Sequence, residues 1–359
     1  MPSEQNMRWT LRGPSGGVDN LEYGPAPAAQ VTAKLGANDV RVTMHAASLN
    51  YRDIAIAKGS LPATQPTPGT IPGSDGAGVV QSVGSNVTAF KVGDKVLPHM
   101  VHPANNDFLP RLDNISAGLG QALNGTLANK AVFPADSLVP MPSNMSFTEA
   151  ATLGCSGLTA WNALFGLRGR EVKAGDYVLL QGSGGVSIAA LQFAHAAVAT
   201  VVATTGKGGD VAARLTKLGA AHVLNYKKDP DWGTTARKLT PDGRGFDHIV
   251  DVGGGSATLG PSLQAIRTDG IISLVGVLDA GNISPENKVD MMAALWTVAT
   301  VRGVLLGSKN MFRDMVAFCE KHDVKPALDD VTFSLADALS AYKRLEEQKH
   351  FSKVVIEIL

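Results

Sequence analysis

From residue 177 to residue 306 the chain repeats one pattern, in which a short apolar run is followed by helical spacing and then by another apolar run. The runs are YVLL (177–180), ATVVAT (199–204), HVLN (222–225), HIVDV (248–252), IISLV (271–275) and TVRGVLL (300–306). Strands this apolar cannot leave one face in water, so they pair in parallel with helices covering both faces. The pattern predicts an α/β domain over 156–307, a doubly wound parallel sheet of six strands.

The flanking residues have a different texture. Residues 1–155 carry most of the Pro and Gly punctuation, with apolar runs such as VRVTMHAASL (40–49) and GAGVVQSVG (76–84) between turns, which predicts a β-rich domain. After 307 the helical spacing returns in MFRDMVAFCEKH (311–322) and LADALSAYKRLEEQ, where Leu335, Leu339, Tyr342 and Leu345 share one face. A closing strand, KVVIEIL, is expected to rejoin the first domain. The expected organisation is a β-rich domain of 1–155 plus 308–359, with the six-stranded domain of 156–307 inserted; 359 residues suit two cores of ordinary size.

Composition removes several functions. Lys plus Arg number 32 and Asp plus Glu number 32, so no electrostatic footprint for nucleic acid or an anionic membrane exists, and a small-molecule substrate is expected. Cys155 and Cys319 are the only cysteines, which excludes a disulfide framework and a Cys-rich zinc site. The opening MPSEQNMRWTLRG lacks a secretory signal, and no later window reaches the roughly 18 uncharged apolar residues of a membrane span. A cytoplasmic location is therefore expected.

The first chemical signal is QGSGGVSIAALQFA, which follows YVLL directly and opens a helix. Gly182, Gly184 and Ser187 take the G-x-G-x-x-G positions, with Gly185 and Val186 in the turn. Two glycines let backbone N–H groups approach a pyrophosphate at the helix N-terminus, and the third position needs only a small residue for close helix–strand packing. A carboxylate that would accept the ribose hydroxyls of NAD is expected about 20 to 25 residues past the first glycine. That stretch holds Thr204, Thr205, Gly206 and Lys207, small side chains and a cation that favour a 2′-phosphate and hence NADP(H). Gly208, Gly209, Asp210 and Val211 add no further cation, and Asp210 reads as a helix cap, which leaves NAD(H) open.

The runs AATLGCSGLTAWNAL, KAGDYVLLQGSGGVSIAALQFA, KLGAAHVLNY, FDHIVDVGG and TVRGVLLGS resemble the medium-chain dehydrogenase/reductase superfamily in unbroken order. SLNYRDIAIAKG, IPGSDGAGVVQSVGSNVTAFKVGDKV and NGTLANKAVFPADSLVPMP extend the resemblance over nearly the whole chain. It implies a GroES-like catalytic domain beside a Rossmann domain. It also implies that Tyr226 lies against the cofactor's 2′-phosphate and that Gly253, Val277, Leu278 and Lys353 border the cofactor. Zinc alcohol dehydrogenases of this superfamily take catalytic zinc ligands at the positions that are here Asn50, Ser74 and Cys155, and carry a four-cysteine structural lobe. One thiol remains here, and residues 97–130 contain no cysteine, whereas a catalytic zinc needs about three protein ligands. His99 and His102 read as a packing or solvated pair, and no metal is expected.

SLNYRDIAIAKG resembles the matching loop of quinone oxidoreductases and of the enoyl reductase domains of fatty-acid and polyketide synthases, which implies NADPH-dependent reduction of an activated C=C bond. Tyr51 is the candidate to lie beside the nicotinamide and donate to a substrate enolate; the alternative is a phenol packed at a domain junction. Asn50 either orients substrate or cofactor or bonds its own turn. Asp53 reads as a loop-fixing carboxylate and Cys155 as a small buried apolar residue. Three functions stay open: an enone or quinone reductase, a zinc-free alcohol dehydrogenase or ketone reductase, and a non-catalytic NADP-binding protein. A homodimer is expected through TVRGVLLGS, which relatives pair with its two-fold mate, since an unpaired β-branched edge is an aggregation liability.

Overall fold

A computed structural model describes residues 6–27, 34–61, 64–102, 106–253, 256–276, 289 and 292–359 of the chain. The chain divides into two units, Met1–Leu158 with Ser308–Leu359, and Thr159–Gly307. The strands of the first segment are β1 (Met7–Leu11), β2 (Leu21–Pro25), β3 (Asp39–Ser48), β4 (Asp75–Val83), β5 (Lys95–Pro98), β6 (Lys130–Pro134) and β7 (Leu138–Pro140). The inserted unit contributes β8 (Tyr177–Gln181), β9 (Thr200–Thr205), β10 (Ala220–Asn225), β11 (Phe246–Asp251), β12 (Ile266–Leu274) and β13 (Thr300–Gly303). The last segment adds β14 (Leu328–Ser334) and β15 (Lys353–Glu357).

The inserted unit is the doubly wound sheet that its apolar runs predict. Its order is β10-β9-β8-β11-β12-β13, and every pairing in it is parallel. All six residues of β11 are buried, as a central parallel strand requires. Leu179, Val202, Phe246, Ile249 and Ile272 form one core with Trp232 and Leu263 from the covering helices. The strand expected over 300–306 stops at Gly303, although the Val304 N–H still donates to the Leu274 carbonyl at 2.9 Å.

The other unit is built on a sheet of order β14-β15-β3-β4-β5-β7, with β6 also paired to β3. β3 turns Val40, Val42, Met44 and Ala46 into the core, the two-residue period of a strand with one covered face. β15 pairs antiparallel with β3 through Val355–Ser48, Ile356–Ala47 and Glu357–Ala46, and parallel with β14. The closing strand thus joins the β-rich unit, as its sequence implies.

Two polar ties hold this return in place. The indole N–H of Trp9 donates to the Leu335 carbonyl at 2.6 Å. Arg344, on the helix Ala338–Glu346, donates to the carboxylate of Asp329 on β14, which also accepts the Phe351 N–H at 3.0 Å. Burial alone would raise the Asp329 carboxyl, but the Arg344 guanidinium and the Phe351 N–H outweigh it and hold it below the usual carboxylate value. The turn that leads into β15 therefore has a fixed entry. Among the described residues no helix is long and apolar enough to cross a membrane.

Candidate functional site

In the inserted unit the glycine turn follows β8 directly. Gly182 has φ 78°, a left-handed conformation that favours glycine, and its N–H donates to the Thr204 carbonyl at 2.7 Å. Gly184 caps the helix Gly185–Ala196, and no atom comes within 4 Å of where its Cβ would stand. Gly185, Val186 and Ser187 carry helix-initial N–H groups, which have no intrahelical acceptor and favour an anion. The Ser187 hydroxyl donates to the Gln181 carbonyl, which explains how a serine serves at the third position of the motif.

At the end of β11, Asp251 is fully buried. It accepts the Gly253 N–H at 3.2 Å, the Thr258 hydroxyl at 2.7 Å, the Gln181 amide at 3.1 Å and the Ser262 hydroxyl at 2.8 Å. The loop bearing Gly253 is thus tied to the end of β8. Val277 and Leu278 lie outside the described residues.

Beyond β9 and β10 lies a cavity of about 480 Å³ whose lining includes Thr205, Gly206, Lys207, Asn225, Lys227 and Lys228, with no carboxylate. Thr204 and Thr205 are buried, and the Thr205 hydroxyl accepts the Lys207 N–H at 3.1 Å. Asn225 braces the opposite wall, its amide oxygen accepting the Lys227 N–H at 3.0 Å and its amide nitrogen donating to the Lys207 carbonyl at 3.4 Å. Tyr226 is 42% exposed and reaches back over Gly206. A Cβ on Gly206 would stand 2.6 Å from the Tyr226 hydroxyl oxygen and 2.9 Å from Lys227 Cε, so any side chain there must displace both. The sequence reading missed Lys227 and Lys228, although the KK pair after LNY was visible. The open turn, the helix-initial N–H groups and the cation-lined cavity fit a dinucleotide.

In the β-rich unit, Asn50 caps the helix Tyr51–Lys58, its backbone N–H donating to the Asp53 carboxylate at 2.7 Å. Tyr51 opens that helix and is 49% exposed. The Asn50 side chain turns inward, where Nδ2 donates to Asp75 Oδ2 at 3.0 Å and Oδ1 accepts from the Ser156 hydroxyl at 2.9 Å and from the Lys353 ammonium. Ser74 donates to the second Asp53 oxygen at 2.6 Å and accepts from Arg52. The same guanidinium reaches the Leu119 carbonyl at 2.8 Å and both the Ile115 carbonyl and Gln121 Oε1 at 3.1 Å. Lys353 is buried within this cluster.

Zinc does not fit these residues. At the three positions where the resemblance places ligands, the Asn50 amide and Ser74 hydroxyl are already hydrogen-bonded. Burial, with the Asp75 charge behind it, pushes the Cys155 thiol up to about 12 and keeps it from serving as a thiolate. His99 is buried against the Val101 backbone, and His102 pairs with Asp136 at 3.1 Å. Among the described residues no three His, Cys, Asp or Glu side chains converge in a group that could hold a metal ion.

Residues 36–143 match the alcohol dehydrogenase GroES-like domain family, and residues 185–321 match the zinc-binding dehydrogenase family. A zinc-type alcohol dehydrogenase-like protein of Schizosaccharomyces pombe is 39% identical over 359 residues, covering 98% of this chain and 99% of its own. The chain belongs to the medium-chain dehydrogenase/reductase superfamily. Among solved structures, one from Sinorhizobium meliloti 1021, titled an alcohol dehydrogenase, is 32% identical with a TM-score of 0.85, covering 99% of this chain and all 100% of its own. A quinone oxidoreductase of Pseudomonas syringae is 25% identical with a TM-score of 0.77, covering 98% and 100%. The chain is accordingly a nicotinamide-dependent oxidoreductase with a GroES-like domain and a Rossmann-like parallel sheet.

The donor set generates a metal prediction. Elemental analysis of the purified protein is expected to give far less than one zinc per chain, and a chelator is expected to leave its melting midpoint unchanged. One tightly held zinc per chain would contradict it.

Proposed function

We propose that this protein is a zinc-independent, NADPH-dependent reductase of activated C=C bonds, in enones or quinones. The observation that carries the reading is the donor set at positions 50, 74 and 155, where an amide, a hydroxyl and a protonated thiol leave nothing to hold a carbonyl-polarising metal. Without a Lewis acid, the acceptor must arrive already activated, or protein donors must meet the charge that develops on oxygen. The chemistry such a cofactor supplies when bound is hydride. Tyr51 then supplies the donor: its phenol is exposed at the first turn of its helix, free of any packing that would bury it. It hydrogen-bonds the enolate oxygen left after reduction at the β-carbon and can hand over its proton. The substrate is a small molecule in this reading, with no nucleic acid or membrane partner.

The preference for NADP(H) is supported by Lys207, Lys227 and Lys228 around one cavity without a carboxylate, and by Tyr226 over a glycine that cannot become acidic without displacing it. A 2′-phosphate gains charge-assisted bonds there, whereas a ribose hydroxyl finds no acceptor carboxylate. A second reading, reduction of a ketone or oxidation of an alcohol, is favoured by the names that the Schizosaccharomyces and Sinorhizobium relatives carry.

The protein is also proposed to be a homodimer. β13 is the last strand of its sheet, with no strand on its outer side among the described residues. Leu295, Trp296 and Val298 beside it are exposed, Trp296 at 77%. A second copy covering both the open edge and this apolar surface removes two liabilities at once.

Three outcomes are expected. NADPH binds more tightly than NADH in a titration, and Lys207→Ala combined with Lys227→Ala narrows the gap by about tenfold or more, acting only on the phosphorylated cofactor; equal native affinities would remove the basis for NADP(H). Light scattering at micromolar concentration gives twice the chain's mass, and a single-chain mass would refute the dimer. In a panel of enones, quinones, ketones and aldehydes with NADPH, the product is a saturated ketone or quinol, and Tyr51→Phe lowers turnover by about 10²-fold while the fold is kept. An alcohol product would favour the second reading, and native turnover in Tyr51→Phe would make the phenol only a wall of the pocket.

A further inference from the structure

Lys353 stands on β15 with its side chain only 5% exposed. Its ammonium lies 2.8 Å from the Leu49 carbonyl, donates to Asn50 Oδ1, and stands 3.4 Å from Asp75 Oδ2 and 3.5 Å from the Ser156 hydroxyl. These acceptors come from three stretches of chain far apart in sequence. Asp75 is fully buried: Oδ2 also receives Asn50 Nδ2 at 3.0 Å and the Ser48 hydroxyl at 3.2 Å. Its other oxygen, Oδ1, has no partner among the described side chains and faces Gly154, where a Cβ would approach it to 2.7 Å.

The Asn50 amide lies across this ion pair with each end set by charge. Its oxygen faces the cation and its nitrogen faces the anion. Reversing the amide would place a donor against the ammonium and an acceptor against the carboxylate, so one orientation is selected. Asn50 is also the residue immediately before Tyr51, and its backbone N–H is bonded to Asp53. The ion pair therefore reaches the helix start that carries the phenol through one intervening side chain.

We propose that the Lys353–Asp75 ion pair is an internal electrostatic clamp that positions Asn50, and through it Tyr51, for the reaction proposed above. Lys353 is then a positioning residue that acts through Asn50. Burial pushes the Asp75 carboxyl up, and the charge of Lys353 is the largest influence opposing that rise. The other charged or titratable groups around the cluster are Asp53, Cys155 and Arg52.

The test compares Lys353→Met with the charge-balanced double variant Lys353→Met/Asp75→Asn, each read by thermal melting and by NADPH-dependent enone turnover. Without the ammonium, the folded-state pKa of Asp75 rises further above its unfolded value. Stability is then intact at low pH, where the carboxyl is neutral in both states, and falls as pH rises toward the folded-state value. Lys353→Met is therefore expected to melt further below the native protein at about pH 8 than at about pH 6, by several degrees, and Asp75→Asn is expected to remove that added slope from the variant. Its kcat is expected to fall about tenfold or more at about pH 8 and to recover as pH is lowered, with the NADPH Kd changed less than twofold.

If Lys353→Met does not fold, the double variant carries the test, because removing both charges is expected to restore folding. Equal melting losses at both pH values, a double variant no more stable than the single one, or a folded Lys353→Met with native kcat would each overturn the proposal. Native protein that is inactive with every acceptor would sink the reductase reading alone, since the melting arm is read without substrate.

Discussion

An ammonium sealed from water requires an acceptor in each direction in which it can donate, and Lys353 imposes that requirement on the whole β-rich unit. It enters from the last strand of the chain, while its acceptors belong to the stretch after β3, the start of β4 and the segment at Ser156. Pairing of β15 with β3 brings the ammonium within reach, and the Asp329–Arg344 pair with the Phe351 N–H sets the approach of β15. The C-terminal return thus completes the polar interior of the site as well as the sheet. Side chains that would each be costly to bury alone are tolerable because Lys353 faces Asp75 and the remaining charged groups are met by neutral hydrogen-bond partners.

The inserted unit answers to a different constraint. Its central strands are buried on both faces, so polar groups that must meet a ligand can stand only at strand ends. The sheet order reverses between β8 and β11, and the carboxyl ends of neighbouring strands diverge at such a switch point to leave a crevice. Gly182 closes β8 and Gly253 follows β11 at that reversal, bridged by the hydrogen bond from Gln181 to Asp251. The cation-lined cavity sits one step outward, at the ends of β9 and β10. In the proposed reading, pyrophosphate binding and phosphate discrimination fall to adjacent strand pairs, one braced by the buried Asp251 and the other by the half-buried Asn225.

Much of this was legible in sequence because burial leaves a periodic trace. Six apolar runs marked β8 to β13, and the apolar run VRVTMHAASL between turns marked β3. β14 escaped notice because its residues Leu328–Ser334 are largely exposed and include adjacent acidic residues, Asp329 and Asp330, in place of an apolar run. The glycine turn was visible because its backbone demands particular residues at fixed spacing. The Asn50 cluster was not, since a hydrogen bond between Lys353 and Asn50 spans most of the chain and imposes no spacing. Asn50 was readable either as a turn residue or as a substrate contact. It is a helix cap whose side chain is fully engaged indoors.

Absence of zinc ligands in this chain is more than deletion, because the substituted residues have acquired partners of their own. A cysteine at position 50 would remove the amide that bonds both Lys353 and Asp75, deleting one acceptor for the cation and one donor for the anion together. A histidine at position 74 would have to replace a hydroxyl that links Asp53 to Arg52, and would leave the guanidinium to its carbonyl and amide acceptors alone. Either single step strands a buried charge or donor before any metal is bound to offset it. The polar interior seen here is self-consistent, with an amine and a carboxylate among the groups that hold the site together.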